Sequence, residues 1–264
     1  MSLEDNHNSR KEFNTRIFND LSSSFKNIVD ETQKIYFYKI KLNTSNLLVY
    51  SPKISVVNEN CIKTCLKLNK SKNNHNHNVG LLNMCSVSKL GGAVYKGMFA
   101  QEEEIYRSTN IFSKISDIHY PISNDQLLLT KNVKIIQCRS SKSYFDFINV
   151  KKEKCFIDII SIPSLRKPDV ILKDNLEFYK NEEDFQIIYN KLESLFKTFI
   201  LNNNIDIVIG AFGCGIYKNP INDVIKIFKS LLVDYSKFFN SITFSILDKS
   251  NENYLFDTFS QNFN

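Results

Sequence analysis

Only seven glycines occur in 264 residues, and six of them fall in two short segments. The first is Lys89-Leu90-Gly91-Gly92-Ala93-Val94-Tyr95-Lys96-Gly97, and the second is Gly210-Ala211-Phe212-Gly213-Cys214-Gly215-Ile216-Tyr217. A chain that avoids glycine elsewhere keeps it where the backbone needs positive φ or must approach another group closely. Each segment follows an apolar run that reads as a strand and precedes a helical pattern. Either cluster alone could be a tight turn. Two of them at the carboxyl ends of strands mark the place where open α/β sheets put their ligand crevice, and amide N–H groups there suit phosphate oxygens. Neither is a G-x-G-x-x-G fingerprint, and neither ends in the G-K-[ST] of a P-loop.

The element pattern agrees with such a sheet. Ile17, Phe18, Leu21, Phe25, Ile28 and Val29 recur at helical spacing over residues 10–30. Short apolar runs at 47–50, 54–57 and 79–84 predict strands, and residues 100–112 predict a helix that opens on acidic residues. Beyond them come a strand at 154–162, a helix face marked by Phe185, Ile188, Leu192, Leu195, Phe196 and Phe199, and a strand at 205–211. A second helix face carries Val224, Ile227, Phe228, Leu231 and Tyr235, and a last strand covers 242–247. Strand and helix in alternation imply a parallel sheet with helices packed on it, an α/β fold. The first nine residues and residues 69–78 are polar and without periodicity, which predicts a mobile start and a surface loop.

Composition bounds the function. With 42% of residues hydrophobic, a core can form without disulfides, and six scattered cysteines do not make a disulfide framework. No apolar run is long enough to span a bilayer, so no membrane is expected. The start lacks a secretory pattern, and the expected location is intracellular, cytoplasmic or nuclear. A net charge of +6 describes either a solvated Lys/Asn surface or an attraction for a polyanion, and charge alone does not choose. No basic–aromatic module for nucleic acid is visible, so the aromatic stripes read as core. Cys61 and Cys65 followed by His75 and His77 miss the usual zinc spacing and read as one helical turn plus solvated histidines.

The first glycine segment is followed by Gln101-Glu102-Glu103-Glu104. Acids in a first helical turn ordinarily complement the dipole. Beside a phosphate loop, one of them could instead act as general acid on a glycosidic oxygen. Glu104 points about 100° away from Glu103 on a helix, so its replacement is expected to be silent.

These residues resemble the signature of poly(ADP-ribose) glycohydrolases of the microbial type, a macrodomain-related family. Its Asn-Phe-Ala-Asn-Ala-x-x-Pro-Gly-Gly-Gly pattern is similar to residues 83–93, from Asn83 through Ser86 and Leu90 to Ala93. Gly97, Ala100 and Gln101-Glu102-Glu103 follow in the family's order, and its Gly-Ala-Trp-Gly-Cys-Gly-x-Phe loop is similar to residues 210–217. Weaker echoes lie at Asp30-Glu31-Thr32 and at Phe244-Ser245-Ile246-Leu247-Asp248. The resemblance implies a three-layer α/β/α sandwich with a mixed sheet at 46–258, a mostly helical extension at 1–45 and a tail at 259–264. It implies poly(ADP-ribose) or ADP-ribosylated proteins as partners, ADP-ribose as ligand, and no metal or cofactor. Glu103 would be the catalytic carboxylate and Glu102 would help hold the ribose. Asn83, Ser86, Gly91, Gly92, Ala93, Gly97 and Gln101 would shape the ribose and diphosphate site. Gly213, Cys214, Gly215, Ile216 and Tyr217 would close over it.

Three positions depart from the pattern. Ser86 stands for the second Asn and lacks its amide, Leu90 stands for Pro, and Ala93 puts a methyl on the third Gly, where a positive φ would be strained. A module that binds ADP-ribose without hydrolysing its polymer is therefore the competing expectation. A basic protein associated with nucleic acid, whose loops only turn the chain, is the third.

Overall fold

The computed structural model describes residues 3–25, 27–71, 77–140, 143–248 and 254–264. In chain order the elements are α1 (Leu3–Ser23), β1 (Thr32–Tyr36), β2 (Lys53–Val57), α2 (Cys61–Lys70), β3 (Val79–Met84), α3 (Gln101–Ser108), β4 (Gln126–Lys134), β5 (Gln137–Arg139), β6 (Phe147–Asn149), β7 (Phe156–Ile162), β8 (Val170–Lys173), β9 (Leu176–Tyr179), α4 (Glu182–Leu201), β10 (Asp206–Ile209), α5 (Ile221–Tyr235), β11 (Ser241–Ser245) and α6 (Tyr254–Phe263). One seven-stranded sheet runs β1-β4-β7-β3-β10-β11-β2, and β5–β6 and β8–β9 are separate hairpins. The five strands from β7 to β2 are parallel, whereas β4 and β1 join antiparallel at one edge. The sheet is mixed.

Strand alternation divides the core in two. Leu82, Leu127, Leu129, Ile160, Ile162, Ile207 and Ile209 face one way and pack with α4, α5 and Phe259 of α6. Leu81, Leu128, Ile157, Ile159 and Val208 face the other way and pack with Phe18 of α1, α2 and α3. Side chains two apart on a strand share a face, so near-continuous apolar strands such as β7 are covered on both sides. Helices on both faces make the three layers of an α/β/α sandwich.

Several elements differ from the sequence reading. Residues 3–9, predicted to be mobile, belong to α1, and residues 47–50 form no strand. Helix α3 stops at Ser108 because Thr109 turns extended, donates its hydroxyl to the Ile105 carbonyl and bridges to Ile135. Residues 1–45 contribute β1 to the sheet, and the residues read as a tail include Phe259 and Phe263, which pack against Phe244. Most of the polar 69–78 stretch, with His75, lies outside the described residues.

Candidate active site

Parallel strands β7, β3 and β10 end side by side, and the loops leaving them meet at one edge of the sheet. After β3 the chain turns at Ser86, whose hydroxyl accepts from the Ser88 and Lys89 amides at 3.3 Å each. It then passes Gly91 and Gly92, both at positive φ, makes a short turn at Val94–Lys96, and enters α3. Gln101 ties the two ends of this excursion together. Its Oε1 accepts from the Met84 amide at 2.8 Å and its Nε2 donates to the Leu82 carbonyl at 2.7 Å.

Glu102 and Glu103 turn back onto the loop that precedes them. Glu102 Oε2 accepts from the Ser86 amide at 2.8 Å, and Glu103 Oε1 accepts from the Ala93 amide at 2.9 Å. A Cβ on Gly92 would lie 2.6 Å from Glu102 Oε2 and 2.7 Å from Glu103 Oε1, so both carboxylates converge on the space its missing side chain leaves. Both residues are buried, and Glu102 Oε1 and Glu103 Oε2 have no partner among the described residues. Burial pushes the Glu102 carboxyl up to about 8, with the neighbouring Glu103 adding to the shift and the Ser86 and Gly91 amides opposing it. Burial thus favours the neutral acid at Glu102, and one of its carboxyl oxygens is uncommitted.

The second loop works differently. Gly213 is at φ +73°, and a side chain there would run into the Ser164 hydroxyl and the Asn219 amide. Asn219 is the anchor. Its Nδ2 donates to the carbonyls of Leu165 at 2.8 Å and Gly213 at 3.2 Å, and its Oδ1 accepts from the Tyr179 hydroxyl at 2.7 Å. Cys214 spends its amide on the Ala211 carbonyl, and burial raises its thiol, so it is no nucleophile. The amides of Gly215, Ile216 and Tyr217 meet no acceptor among the described residues, and space beside Gly215 is open. Half-buried Tyr217 lies within electrostatic reach of both Glu102 and Glu103, which with burial raises its phenol.

The expected residues thus fall on two neighbouring loops: Asn83, Ser86, Gly91, Gly92, Ala93, Gln101, Glu102 and Glu103 between the end of β3 and the start of α3, and Gly213, Cys214, Gly215, Ile216 and Tyr217 after β10, with Tyr217 linking the two electrostatically. Gly97 belongs elsewhere. It sits at φ +65° with its α-carbon against the Lys11 carbonyl of α1. The first-loop amides of Gly92, Ala93 and Val94 are all spent within the loop or on Glu103. Ala93 has φ −111°, a value any residue adopts, and the expected strain is absent. Glu104 does point away from the crevice, but it is buried. Arg139 grips it through Nε–Oε1 at 2.9 Å and Nη2–Oε2 at 2.8 Å, with Arg107 Nε at 3.5 Å and Asn60 Nδ2 at 3.3 Å. A replacement there removes the counter-charge of two arginines, a consequence for stability that the helix angle does not reveal. Sequence reading also missed Ser164, Tyr179 and Asn219, whose roles come from loop packing that no local spacing encodes. No group of three or more His, Cys, Asp or Glu suited to a metal occurs among the described residues.

Residues 9–135 match the family described as microbial-type PARG, catalytic domain. The matched family is PARG. Its span runs from within α1 to just past β4 and takes in the whole first loop. Among solved structures, poly(ADP-ribose) glycohydrolase (PARG) from Thermomonospora curvata superposes with a TM-score of 0.77 at 18% identity, covering 97% of this chain and 99% of that one. The same enzyme bound to the inhibitor ADP-HPD gives 0.72 at 17% identity over 96% and 98%. PARG from Deinococcus radiodurans in complex with ADP-ribose gives 0.70 at 16% identity over 88% and 93%. No curated protein sequence matches the chain. The PARG fold thus runs through nearly the whole chain, both loops included.

Two expectations follow. The Glu102 carboxyl is raised from its ordinary 4.5 to about 8, so the native state binds more protons than the unfolded chain between those values. Its contribution to stability is greatest below that window and declines as pH rises through it. Urea unfolding of Glu102→Gln should lose this part of the decline relative to wild type, and parallel pH profiles would contradict it. Glu104→Gln should lower the unfolding free energy by about 3 kcal/mol, because Arg139 and Arg107 stay buried without their counter-charge. Urea titration at neutral pH measures it.

Proposed function

We propose that this protein is a poly(ADP-ribose) glycohydrolase, cleaving the ribose–ribose glycosidic bond to release ADP-ribose. The observation that carries the reading is the convergence of two buried carboxylates, each with one free oxygen, on Gly92, opposite a loop with unspent amides. The match to the microbial-type PARG catalytic domain and the shared fold support it.

In this reading the diphosphate of ADP-ribose lies on the Gly215, Ile216 and Tyr217 amides, and Tyr217 packs against the distal ribose. Neutral Glu102 donates from its free oxygen to a ribose hydroxyl. Glu103, in its acid form, protonates the departing ribose oxygen as the bond to the anomeric carbon breaks with oxocarbenium character. The carboxylate left behind takes a proton from the incoming water, whose oxygen bonds to the anomeric carbon. One carboxyl serves both halves, and atoms balance without a metal or cofactor. The raised Glu102 carboxyl favours a second assignment, in which the two glutamates exchange roles. Ser86 turns its hydroxyl to the loop amides, so it positions the loop rather than the ribose. The structure pairs none of the six cysteines in a disulfide, which supports placement in a reducing, intracellular compartment.

Incubation with poly(ADP-ribose) and titration with free ADP-ribose test the reading. Release together with binding supports it, binding alone makes the protein a reader, and neither refutes both. Glu103→Gln should cut hydrolysis by about 10²–10⁴-fold while ADP-ribose affinity changes little. If Glu102→Gln is the crippled variant, the roles are exchanged. Gly215→Val has room in the structure and an ordinary φ, so it should fold with wild-type thermal stability. It should bind ADP-ribose at least about tenfold more weakly, roughly 1.4 kcal/mol, as calorimetry would show; unchanged affinity would remove the diphosphate from this loop.

A further inference from the structure

In helix α1 the polar side chain of Asn14 is fully buried. All of its hydrogen-bonding capacity is turned towards the catalytic wall. Its Nδ2 donates to the Gly97 carbonyl at 3.0 Å and to the Tyr144 hydroxyl at 2.8 Å, and its Oδ1 accepts from Arg139 Nη2 at 2.9 Å. Gly97 closes the Val94–Lys96 turn, so the first bond fixes the end of the loop whose Ala93 amide holds Glu103. Arg139 is the bidentate partner of Glu104, the residue after Glu103, so the third bond fixes the rotation of α3 about its axis.

The surrounding contacts run along the same seam. A Cβ on Gly97 would collide with the Lys11 carbonyl, so helix and loop backbones touch. Phe18, one turn further along α1, packs edge-on against Tyr95 at 4.9 Å, inside the same turn. From the α3 side, Arg107 Nη2 donates to the Met98 carbonyl at 2.6 Å. The loop is gripped from two helices, and Asn14 is the side chain that bonds both to it and to the arginine on Glu104.

We infer that Asn14 is a positioning residue for the two carboxylates: α1 sets, through this one amide, the separation of the glycine loop and the α3 first turn on which Glu102 and Glu103 are mounted. The inference rests on the glycohydrolase reading for its kinetic consequence, but its structural consequence stands apart. Misplacement of a reacting group by a fraction of an ångström is costly to turnover and cheap to binding when phosphate contacts come from a different loop.

Asn14→Ala tests it, with Asn14→Asp, which keeps the oxygen facing Arg139 and loses both donors, as the variant to use if the alanine form does not fold. Phe259→Ala, on the opposite face of the sheet, supplies a general loss of stability for comparison. Amide hydrogen exchange at Ala93 should quicken at least about tenfold in the Asn14 variant, while Leu81 and Leu82 of β3 change no more than they do in Phe259→Ala. With poly(ADP-ribose), kcat should fall about tenfold or more with KM within about threefold of wild type. Phe259→Ala should leave both kinetic constants in place. Unchanged exchange at Ala93 overturns the inference, and so does unchanged kcat. If wild type itself does not hydrolyse the polymer, the glycohydrolase reading falls and the exchange at Ala93 decides the coupling alone.

Discussion

Three consecutive glutamates are buried in the first turn of an eight-residue helix, and much of the molecule on that face of the sheet exists to make this tolerable. The positive end of the helix dipole helps all three but supplies at most a kcal/mol or so, roughly, far less than burying carboxylates costs. Each is therefore compensated separately. Glu104 receives two guanidinium groups, Glu103 receives the Ala93 amide, and Glu102 receives the Ser86 amide and retains its proton. Gly92 is the geometric counterpart of this arrangement. The oxygens of Glu102 and Glu103 occupy the room that any side chain there would fill.

That requirement separates the tasks of the two glycine loops. The first loop spends its Ser86 and Ala93 amides on its own carboxylates, whereas the Gly215, Ile216 and Tyr217 amides of the second meet no acceptor among the described residues. The second loop must then keep its amides outward and its backbone rigid without help from a ligand. Asn219 meets that need by binding the Leu165 and Gly213 carbonyls at once, and Tyr179 holds Asn219 in turn. The β8–β9 hairpin, which lies outside the main sheet, is tied into the site through this chain of bonds, and Tyr179 is fixed at its amide by Asp223 at the start of α5.

The sequence was most legible where periodicity and chemistry coincide. Strand β3 has the predicted bounds, 79–84, because a continuous apolar run between turn signals fits a central strand. The glycine loops and the Gln101-Glu102-Glu103 turn were readable because scarce glycine and clustered acid have few other uses. Legibility failed where the determinant is tertiary. Strand β4 opens with the run Leu127–Leu128–Leu129 but carries a bulge before Val133, which breaks its period. Ala93 looked strained because a glycine stands there in the family pattern, but its φ is negative. The helix angle of Glu104 says only that it points away from Glu103, and Arg139, thirty-five residues away on β5, makes it part of a buried ion pair.

The net charge of +6 finds its place only in three dimensions. Arg166, Lys167 and Lys218 surround Tyr217 on adjoining loops, with the Lys167 amide bonded to the Tyr217 carbonyl at 2.7 Å, and all three side chains are exposed. Exposed cations are screened within about 8 Å at physiological ionic strength, so they add little to the affinity of a seated ligand. They raise the encounter rate of a polyanion instead. The bacterial PARG structures superpose closely at 16–18% identity, so the fold they share with this chain does not depend on most side-chain identities.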